Sequence, residues 1–274
     1  MIRVSIASQK GGVGKTTVSL NVAYSLATRG HRILLLDTDP QGAIGLSLFT
    51  RSNERPGFFE ALNSSNAELP TMILPTRVPS LSIFPAGRYE HFQNSPLAWD
   101  PDGRRARIRQ ILATLEQLPG MPFDMILIDT AGGTHSITGD VLWLSQYVLI
   151  SEQVQPLGLR TLPQILHQLA ELRVKQPPTQ VLGILPTMVD AQSPTSQDVL
   201  RQLIEIVPPE LLFRTHIPRD DIFLRASEHG VPLALLQKKP PPQAALFDQL
   251  AEEIEQRSGI RPNKHDERLT KLVD

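Results

Sequence analysis

The 274-residue sequence contains no cysteine. Disulfide bonds, thiol catalysis and cysteine-ligated metal or iron–sulfur centres are therefore excluded. The sequence also lacks an apolar run long enough to cross a bilayer as a helix. Its first residues, Met1 to Val4, lead directly into a strand-like run and do not have the character of a signal peptide. These absences together lead us to expect a cytoplasmic protein.

Charge of one sign is not in excess either, because 27 Lys and Arg stand against 28 Asp and Glu. The chain therefore has no global basic field that would draw it to nucleic acid, although this balance is compatible with a local patch. One local cluster is formed by Arg104, Arg105, Arg107 and Arg109. It is either a solvated helix face or a contact for a phosphate backbone or an acidic partner. Hydrophobic residues make up 41%, enough for a sizeable core.

The most informative stretch is residues 9–17, Gln-Lys-Gly-Gly-Val-Gly-Lys-Thr-Thr, between an apolar run and a helical pattern. A glycine-rich loop of this kind turns its N–H groups onto an anion, which the positive end of the following helix also attracts. In a phosphate-binding loop, Lys15 supplies a charge for the terminal phosphates and Thr16 a hydroxyl for Mg²⁺. The ordinary motif has glycine where this chain has Gln9, and an additional lysine, Lys10, follows.

Carboxylates follow two further apolar runs. The run at residues 33–36 leads into Asp37-Thr-Asp39-Pro-Gln-Gly, and the run from Phe123 ends at Asp129. Open α/β sheets bind ligands at the carboxyl ends of their strands. An apolar strand that ends in aspartate has the Walker B pattern, in which the carboxylate helps to hold Mg²⁺. Two plainer interpretations remain open: the first segment is an ordinary strand-ending turn, and Gly132-Gly133 is a flexible turn rather than an approach to a phosphate.

Alternating apolar runs and helical patterns predict an α/β fold, with a doubly wound, mostly parallel sheet and helices on both faces. We expect a single domain over residues 1–259 and a charged, frayed tail over 260–274. Strands are predicted at 2–7, 31–37, 81–85, 123–129, 147–151, 180–189 and 211–217. Helices are predicted at 15–29, 57–63, 104–118, 157–172, 193–207, 222–229 and 243–257. Residues 86–103 are predicted to be a loop.

A dinucleotide-binding Rossmann oxidoreductase is the rival class. It requires the pattern G-x-G-x-x-G and an acidic residue on the second strand. Asp37 could supply the acid, but Gly14-Lys15-Thr16 does not suit a pyrophosphate turn. The glycine loop, the carboxylates after the second strand and Asp129 occur in the right order, and together they predict binding of a nucleoside triphosphate with Mg²⁺.

Residues 10–17 resemble the deviant Walker A box of the ParA/MinD family of P-loop ATPases. In that family the extra lysine is the signature and the first glycine is not required, which accounts for Gln9. Residues 37–42 resemble the second box of the family, and residues 123–129 resemble its Walker B strand. Gln153 and the segments 186–190 and 217–219 resemble later parts of the ParA branch.

The resemblance implies a homodimer that sandwiches ATP and Mg²⁺ between two subunits. Lys15 would bind the β- and γ-phosphates in its own subunit, while Lys10 would reach across to the partner's phosphates. Asp39 would position the attacking water, and Thr16 and Asp129 would hold Mg²⁺. Lys10 could instead be an ordinary solvated loop lysine. The residues expected at the nucleotide are Gly11, Gly12, Val13, Gly14, Lys15, Thr16, Thr17, Gln41, Thr187, Met188, Pro218 and Arg219.

The resemblance further implies an activating adaptor protein, non-specific binding to nucleoid DNA, and positioning of a plasmid, a chromosome or a protein-based cargo. The candidate DNA-binding cations are Arg219, Arg225, Lys238, Lys239 and Arg257. Asp220 and Asp221 stand where the partition ATPases usually have Asn and a basic residue.

Two alternatives within the fold remain. A MinD-like membrane-associated ATPase ends in an amphipathic helix, whereas after Ile260 this tail has only Leu269, Leu272 and Val273 as large apolar residues. No membrane partner is therefore expected. A small-molecule ligase of the same fold would need a substrate pocket and no extra lysine, so Lys10 disfavours it.

Overall fold

The computed structural model describes residues 1–48, 55–134, 136–175 and 179–261, so most of the predicted tail lies outside the described residues. The strands are β1 (Ile2–Ala7), β2 (Ile33–Asp37), β3 (Leu74–Pro75), β4 (Leu81–Phe84), β5 (Met125–Asp129), β6 (Tyr147–Gln153) and β7 (Gln180–Thr187). The helices are α1 (Lys15–Thr28), α2 (Ala43–Leu48), α3 (Phe58–Ala61), α4 (Leu69–Met72), α5 (Tyr89–Gln93), α6 (Pro101–Glu116), α7 (Ser136–Leu144), α8 (Pro156–Lys175), α9 (Pro194–Ile206), α10 (Ile222–Glu228) and α11 (Ala244–Ser258).

The strands form one seven-stranded sheet in the order β3-β4-β2-β5-β1-β6-β7. All pairs are parallel except β3 with β4, which confirms the predicted doubly wound, mostly parallel fold class. Asp129 lies in register with Asp37 on one side and with Ile6 on the other. The carboxyl ends of β2, β5 and β1 are therefore neighbours, and the residues that follow them meet at one edge of the sheet.

Both faces of the sheet are covered, which explains why its strands are apolar without alternation. Side chains of neighbouring β2 residues enter different clusters: Ile33 and Leu35 pack with residues of α1 and α11, and Leu34 and Leu36 with residues of α6. All four are buried. Each buried side chain of this size stabilises the fold by roughly 1.5–3 kcal/mol. Helices on both faces thus hold the strand ends in place.

The predicted strand at 211–217 is wrong. This segment follows the edge of β7 through two isolated bridges, Ile184 with Leu212 and Val189 with Pro218. Between them the amides of Arg214 and Thr215 donate to the Glu253 carboxylate of α11, at 2.9 and 2.8 Å. The Phe213 and Ile217 amides donate to β7, but the Thr215 amide between them is diverted to Glu253, which interrupts the ladder.

Residues 86–103 were predicted as a loop, but they include α5, a 3₁₀ turn at Pro96–Ala98 and the start of α6. Helix α6 begins at Pro101, because Asp100 caps it by accepting from the Gly103 amide at 3.0 Å and proline suits the first helical position. The prediction that this helix starts at Arg104 was therefore three residues late. Helices α2, α4 and α7 and strand β3 were not predicted either.

Three of the four clustered arginines of α6 make hydrogen bonds or ion pairs within the protein, whereas Arg109 is exposed, with its guanidinium 5.3 Å from the centre of the Trp143 ring. Arg104 is 4% exposed and ion-paired with the buried carboxylate of Asp140 on α7. Arg105 donates to the other Asp140 oxygen at 2.6 Å. Arg107 donates to the main-chain oxygens of Ala61 and Ser64. Their role is to join α6 to α7 and to the α3 region, since a buried charge must be paired.

Candidate functional site

The glycine loop joins β1 to α1 and leaves space above its backbone. Gly12 and Gly14 have φ values of 73° and 88°, which L side chains rarely adopt. A Cβ atom built on Gly11, Gly12 or Gly14 would meet nothing within 4 Å. The loop therefore forms an open cradle directly before the N-terminus of α1. This geometry fits an anion such as a phosphate chain.

Lys15, the first residue of α1, directs its ammonium back into the loop. The side chain is 6% exposed, and Nζ donates to Ser8 Oγ at 3.0 Å and to the Lys10 carbonyl oxygen at 3.3 Å. Burial lowers the pKa of Lys15, while the carboxylates of Asp129 and Asp39 act in the opposite direction. A buried cation with only neutral hydrogen-bond acceptors is a favourable partner for an anion.

Asp129 ends β5 and accepts hydrogen bonds from two hydroxyl groups of α1. Thr16 Oγ1 donates to Oδ2 at 2.8 Å, and Ser19 Oγ donates to Oδ1 at 2.7 Å. Burial raises the pKa of Asp129 to about 6, against the two hydrogen bonds and the charge of Lys15. The Thr16 hydroxyl and the Asp129 carboxylate provide adjacent hard oxygen ligands of the kind that Mg²⁺ prefers. Ser19 was missed by the sequence analysis, although it lies one helical turn beyond Thr16.

The two carboxylates after β2 have different surroundings. Asp37 is fully buried and accepts from the amides of Asp39 and Ile44, at 3.0 and 3.2 Å. Burial, helped by the nearby charge of Asp129, raises the pKa of Asp37 well above its usual value. The turn interpretation is therefore correct for Asp37, which orders the entry into α2. Asp39 is only half-buried and lies close enough to affect the titration of both Lys15 and Asp129. Its Oδ1 accepts a hydrogen bond from the backbone amide of Gln41, an exposed residue, at 2.9 Å.

A second group of predicted residues lies around one small cavity of about 50 Å³. Thr187, at the end of β7, donates through Oγ1 to the Val13 carbonyl oxygen at 2.9 Å. Met188 follows with φ 52°, an uncommon value for a residue other than glycine. The predicted residues that line the cavity are Val13, Gly14, Thr17, Thr187, Met188 and Pro218. Arg219 is exposed and does not line it.

The loop after Asp129 packs against the glycine loop. The Gly133 amide donates to the Ser8 carbonyl oxygen at 2.8 Å. A Cβ atom on Gly132 would lie 2.8 Å from the Gly11 nitrogen and 2.9 Å from the Lys10 carbonyl carbon. Gly132 is therefore needed for a close approach of two backbones, which goes beyond a flexible turn.

The Lys10 side chain is directed into the protein rather than into solvent. Its Nζ atom is buried and has no hydrogen-bond partner among the described residues. Burial raises the pKa of Glu152 to about 7, and the charge of Lys10 acts in the opposite direction. Glu152 lies near the end of β6 and is 4% exposed. The sequence analysis missed Glu152, although an acidic residue at the end of an apolar strand was a usable signal.

The predicted DNA-binding cations divide into two groups. Arg219, Arg225, Lys238 and Lys239 are exposed. Arg257 differs, because its guanidinium is engaged within the protein. It donates to the carbonyl oxygens of Leu182, Glu210 and Leu212 at 3.0, 2.9 and 2.6 Å. Its guanidinium also lies 4.1 Å from the centre of the Phe213 ring.

Comparison with known proteins identifies the family. A family model described as an AAA domain matches residues 1–180. The chromosome-partitioning ATPase Soj of Thermus thermophilus is 31% identical over 254 residues, covering 92% of this chain and 94% of Soj. The chain belongs to the ParA/MinD family of P-loop ATPases. The resemblance of its Walker A box is thereby confirmed.

Two solved structures have a similar fold. A variant of McdA from Cyanothece in complex with ATP has a TM-score of 0.74 at 20% identity, with 95% of this chain and 97% of McdA covered. Cobyrinic acid a,c-diamide synthase from Mycobacterium smegmatis, with an ATP analogue and magnesium, has a TM-score of 0.73 at 24% identity, with 94% and 97% covered. At these identities the likeness shows a shared fold. In the described part of this ParA/MinD-family chain, no helix is long and apolar enough to cross a membrane.

Proposed function

We propose that this chain is an ATP-switched homodimer that binds non-specific DNA and positions a cargo, and that an adaptor-stimulated hydrolysis step ends each cycle. The observation that carries the proposal is the Thr16 hydroxyl, 2.8 Å from the Asp129 carboxylate, beside a loop whose glycines face open space. Phosphate and Mg²⁺ sites of P-loop ATPases combine these elements. Family membership supports the assignment.

In the proposed site, the amides of residues 11–14 and the Lys15 ammonium bind the phosphates, and Thr17 lies at the α-phosphate. Thr16 and Asp129 hold Mg²⁺, which when bound neutralises charge on the β- and γ-phosphates. A site with few protein ligands is normal for Mg²⁺ bound together with phosphates. The cavity beside Thr187 and Met188 lies on the base side of the nucleotide.

Hydrolysis in this proposal depends on two residues with different tasks. Asp39 orients a water molecule near the terminal phosphate; its position after β2, within electrostatic range of Lys15, supports this role. Lys10 belongs to the same loop and supplies a positive charge to the phosphates of the partner subunit, in the manner of a finger residue in trans. Hydrolysis in the isolated subunit is then slow, and dimerisation depends on bound ATP.

The DNA surface in this proposal is the segment from Arg219 to Lys239, which carries the four exposed cations. Asp220 accepts from the Ile222 amide and from the Gln243 side chain, at 2.9 and 2.7 Å, so its charge is engaged within the protein. Phosphate contacts of this kind give affinity without sequence preference. The nucleoid is the expected site of action.

The test is retention of the full chain on DNA of mixed sequence with ATP, with ADP and without nucleotide, at several stated salt concentrations. Retention with ATP should exceed both other conditions and should fall steeply with salt. Equal retention in all three conditions would refute the ATP switch. Sedimentation of the same samples without DNA shows whether ATP alone produces the dimer. The cargo and adaptor can be sought by pull-down with an ATP-locked variant.

A further inference from the structure

The segment 219–239, which carries the four exposed cations, is attached to the nucleotide site at several points. The first attachment is Phe223, in the first turn of α10. Its side chain lines the cavity beside Thr187 and Met188 and also a second cavity, of about 130 Å³, between α10, α1 and α2. On its other side Phe223 packs edge-on against Phe247 of α11, with the ring centres 6.1 Å apart. The start of α10 is therefore held between the nucleotide site and the core.

The end of α10 packs against α2. Gly230 follows α10 with a φ value of 62°, and a Cβ atom built on it would lie 2.1 Å from the Ser47 carbonyl oxygen. The two backbones thus approach more closely than a residue with a side chain would allow. Because α2 begins directly after the turn at residues 37–42, this contact connects the segment to a second part of the nucleotide site.

A buried side chain of α1, Asn21, makes the third attachment. It is 5% exposed, and both ends of its amide are used. Nδ2 donates to the Thr17 carbonyl oxygen at 2.8 Å, and Oδ1 accepts from the Leu233 amide at 2.7 Å. Leu233 is fully buried, so its amide would be costly to leave unpaired. One side chain therefore connects the first turn of α1, next to the glycine loop, to the segment with the exposed cations.

The three attachments differ in how strictly they fix the geometry. The contacts of Phe223 and Gly230 are packing contacts, which have no preferred direction. Hydrogen bonds weaken steeply when their angles change. A shift in the first turn of α1 moves both the partner of Asn21 at Thr17 and the acceptor that holds Leu233. Asn21 is therefore the contact through which a change at Thr17 most directly reaches the segment.

We propose that Asn21 is a positioning residue, which fixes the segment 219–239 relative to the glycine loop so that ATP bound at the loop orders the exposed cations. This inference rests on the proposed function, in which Thr17 lies at the α-phosphate and the segment faces DNA. Asn21 touches neither the nucleotide nor DNA in this arrangement. It passes the loss of freedom that ATP causes at the loop to the segment, which lowers the cost of ordering the segment on DNA.

Hydrogen exchange of the full chain, followed by mass spectrometry, measures this connection in the absence of DNA. It is run with and without Mg²⁺ and an ATP analogue that is not hydrolysed, at a protein concentration at which sedimentation shows a monomer. In the wild type, the analogue should slow exchange in the glycine loop and, by about tenfold, in residues 222–236. In Asn21→Ala, which removes both hydrogen bonds, the glycine loop should still be protected, but exchange in residues 222–236 should hardly respond. A merely structural role would raise exchange in this segment equally with and without the analogue.

Ser80→Ala is the matched control, because Ser80 Oγ donates to the Ala27 carbonyl oxygen at the opposite end of the same helix, at 2.9 Å. It should keep the full response. Asn21→Asp retains an acceptor for the Leu233 amide and loses the donor to Thr17. It should give an intermediate response, and it serves as the second variant if Asn21→Ala folds poorly. The inference is overturned if residues 222–236 do not respond in the wild type, or if their response is undiminished in the Asn21 variants.

Retention on DNA separates this inference from the proposed function. With ATP, Asn21→Ala should bind nucleotide with nearly the affinity of the wild type but be retained on DNA several-fold less. If the exchange response depends on Asn21 but the wild type is retained equally with ATP, with ADP and without nucleotide, the proposed function fails and the connection from Thr17 to the segment stands. If retention requires ATP but the exchange response is insensitive to Asn21, the inference fails and the proposed function stands.

Discussion

Thr16 on α1 donates its hydroxyl hydrogen to the Asp129 carboxylate of β5 at 2.8 Å. This single hydrogen bond connects the helix that follows the glycine loop to the strand that pairs with β1. Ser19 makes a second connection, at 2.7 Å, to the other oxygen of the same carboxylate. Both hydroxyls donate to the Asp129 carboxylate, but only Thr16 lies next to the glycine loop.

This difference between the hydroxyls gives a direct test of the metal site. Thr16→Val keeps the side-chain shape and removes the hydroxyl, so the gain in ATP affinity on adding Mg²⁺ should fall by at least about tenfold. Ser19→Ala removes the other hydrogen bond to Asp129 and should keep most of that gain. Titration of a fluorescent ATP analogue with and without Mg²⁺ measures both. Equal losses in the two variants would mean that the hydroxyls act only by supporting Asp129.

The raised pKa of Asp129 has a consequence for stability. Because burial raises this pKa from its ordinary value of 3.8 to about 6 in the folded chain, the folded state binds the proton more tightly. Stability should therefore fall as pH rises from about 4 to 6, by about 2–3 kcal/mol from this group. Asp129→Asn cannot ionise and should escape this loss. Urea unfolding of both proteins at pH 4.5 and pH 7.5 measures this loss. The stability of the variant relative to the wild type should be greater at pH 7.5 than at pH 4.5. A pH-independent difference would contradict the prediction.

Asp39 should govern the lifetime of the ATP dimer. Asp39→Ala should slow hydrolysis by roughly a hundredfold or more and leave a long-lived dimer in the presence of ATP. The Asp39 carboxylate also accepts from the Gln41 amide at 2.9 Å, so alanine disturbs the turn as well. Asp39→Asn retains an acceptor and removes the charge. Size-exclusion chromatography with ATP and phosphate release should show the same trapped dimer for both variants. Trapping by alanine alone would assign the effect to the turn.

The contact between the glycine loop and the loop after Asp129 predicts that alanine substitutions at two glycines will affect stability differently. A Cβ atom on Gly132 would lie 2.8 Å from the Gly11 nitrogen, so Gly132→Ala must push the loops apart and should cost about 1–3 kcal/mol of stability. A Cβ atom on Gly11 meets nothing within 4 Å, so Gly11→Ala should be nearly neutral in urea unfolding. Nucleotide affinity should fall in Gly132→Ala. Equal stability of the two variants would show that the loops do not pack as described.

Substitution of a cation on the proposed DNA surface should weaken DNA retention, whereas substitution of Arg257 should lower stability. Arg257→Ala loses hydrogen bonds to three carbonyl oxygens and the contact with Phe213, and should cost about 2–3 kcal/mol in urea unfolding. Arg225→Ala should leave stability unchanged, weaken ATP-dependent DNA retention and reduce the salt slope by about one. Lys238→Ala should behave like Arg225→Ala. Unaltered retention in both of these variants would place the DNA contacts elsewhere.

Local patterns were enough to predict the glycine loop, Asp129 and the parallel sheet, because each depends on residues close in sequence. Failures came where a distant side chain decided the outcome. The amides of Arg214 and Thr215 bond to Glu253 on α11, so segment 211–217 is not a strand. Arg104 meets Asp140 on α7, a helix that the sequence analysis did not identify. Burial raises the pKa of Glu152 and the charge of Lys10 opposes that rise, but the two residues are far apart in sequence and no spacing rule relates them.

The segment at 211–217 also covers one edge of the sheet. Residues of this segment lie along β7 at two points, and two of its amides are occupied by Glu253. At the opposite edge, β3 has two residues and one of them is Pro75. A short, proline-containing edge and a covered edge both resist the addition of another strand. Within the described residues, neither margin of the sheet therefore offers an open template for self-propagating β-aggregation.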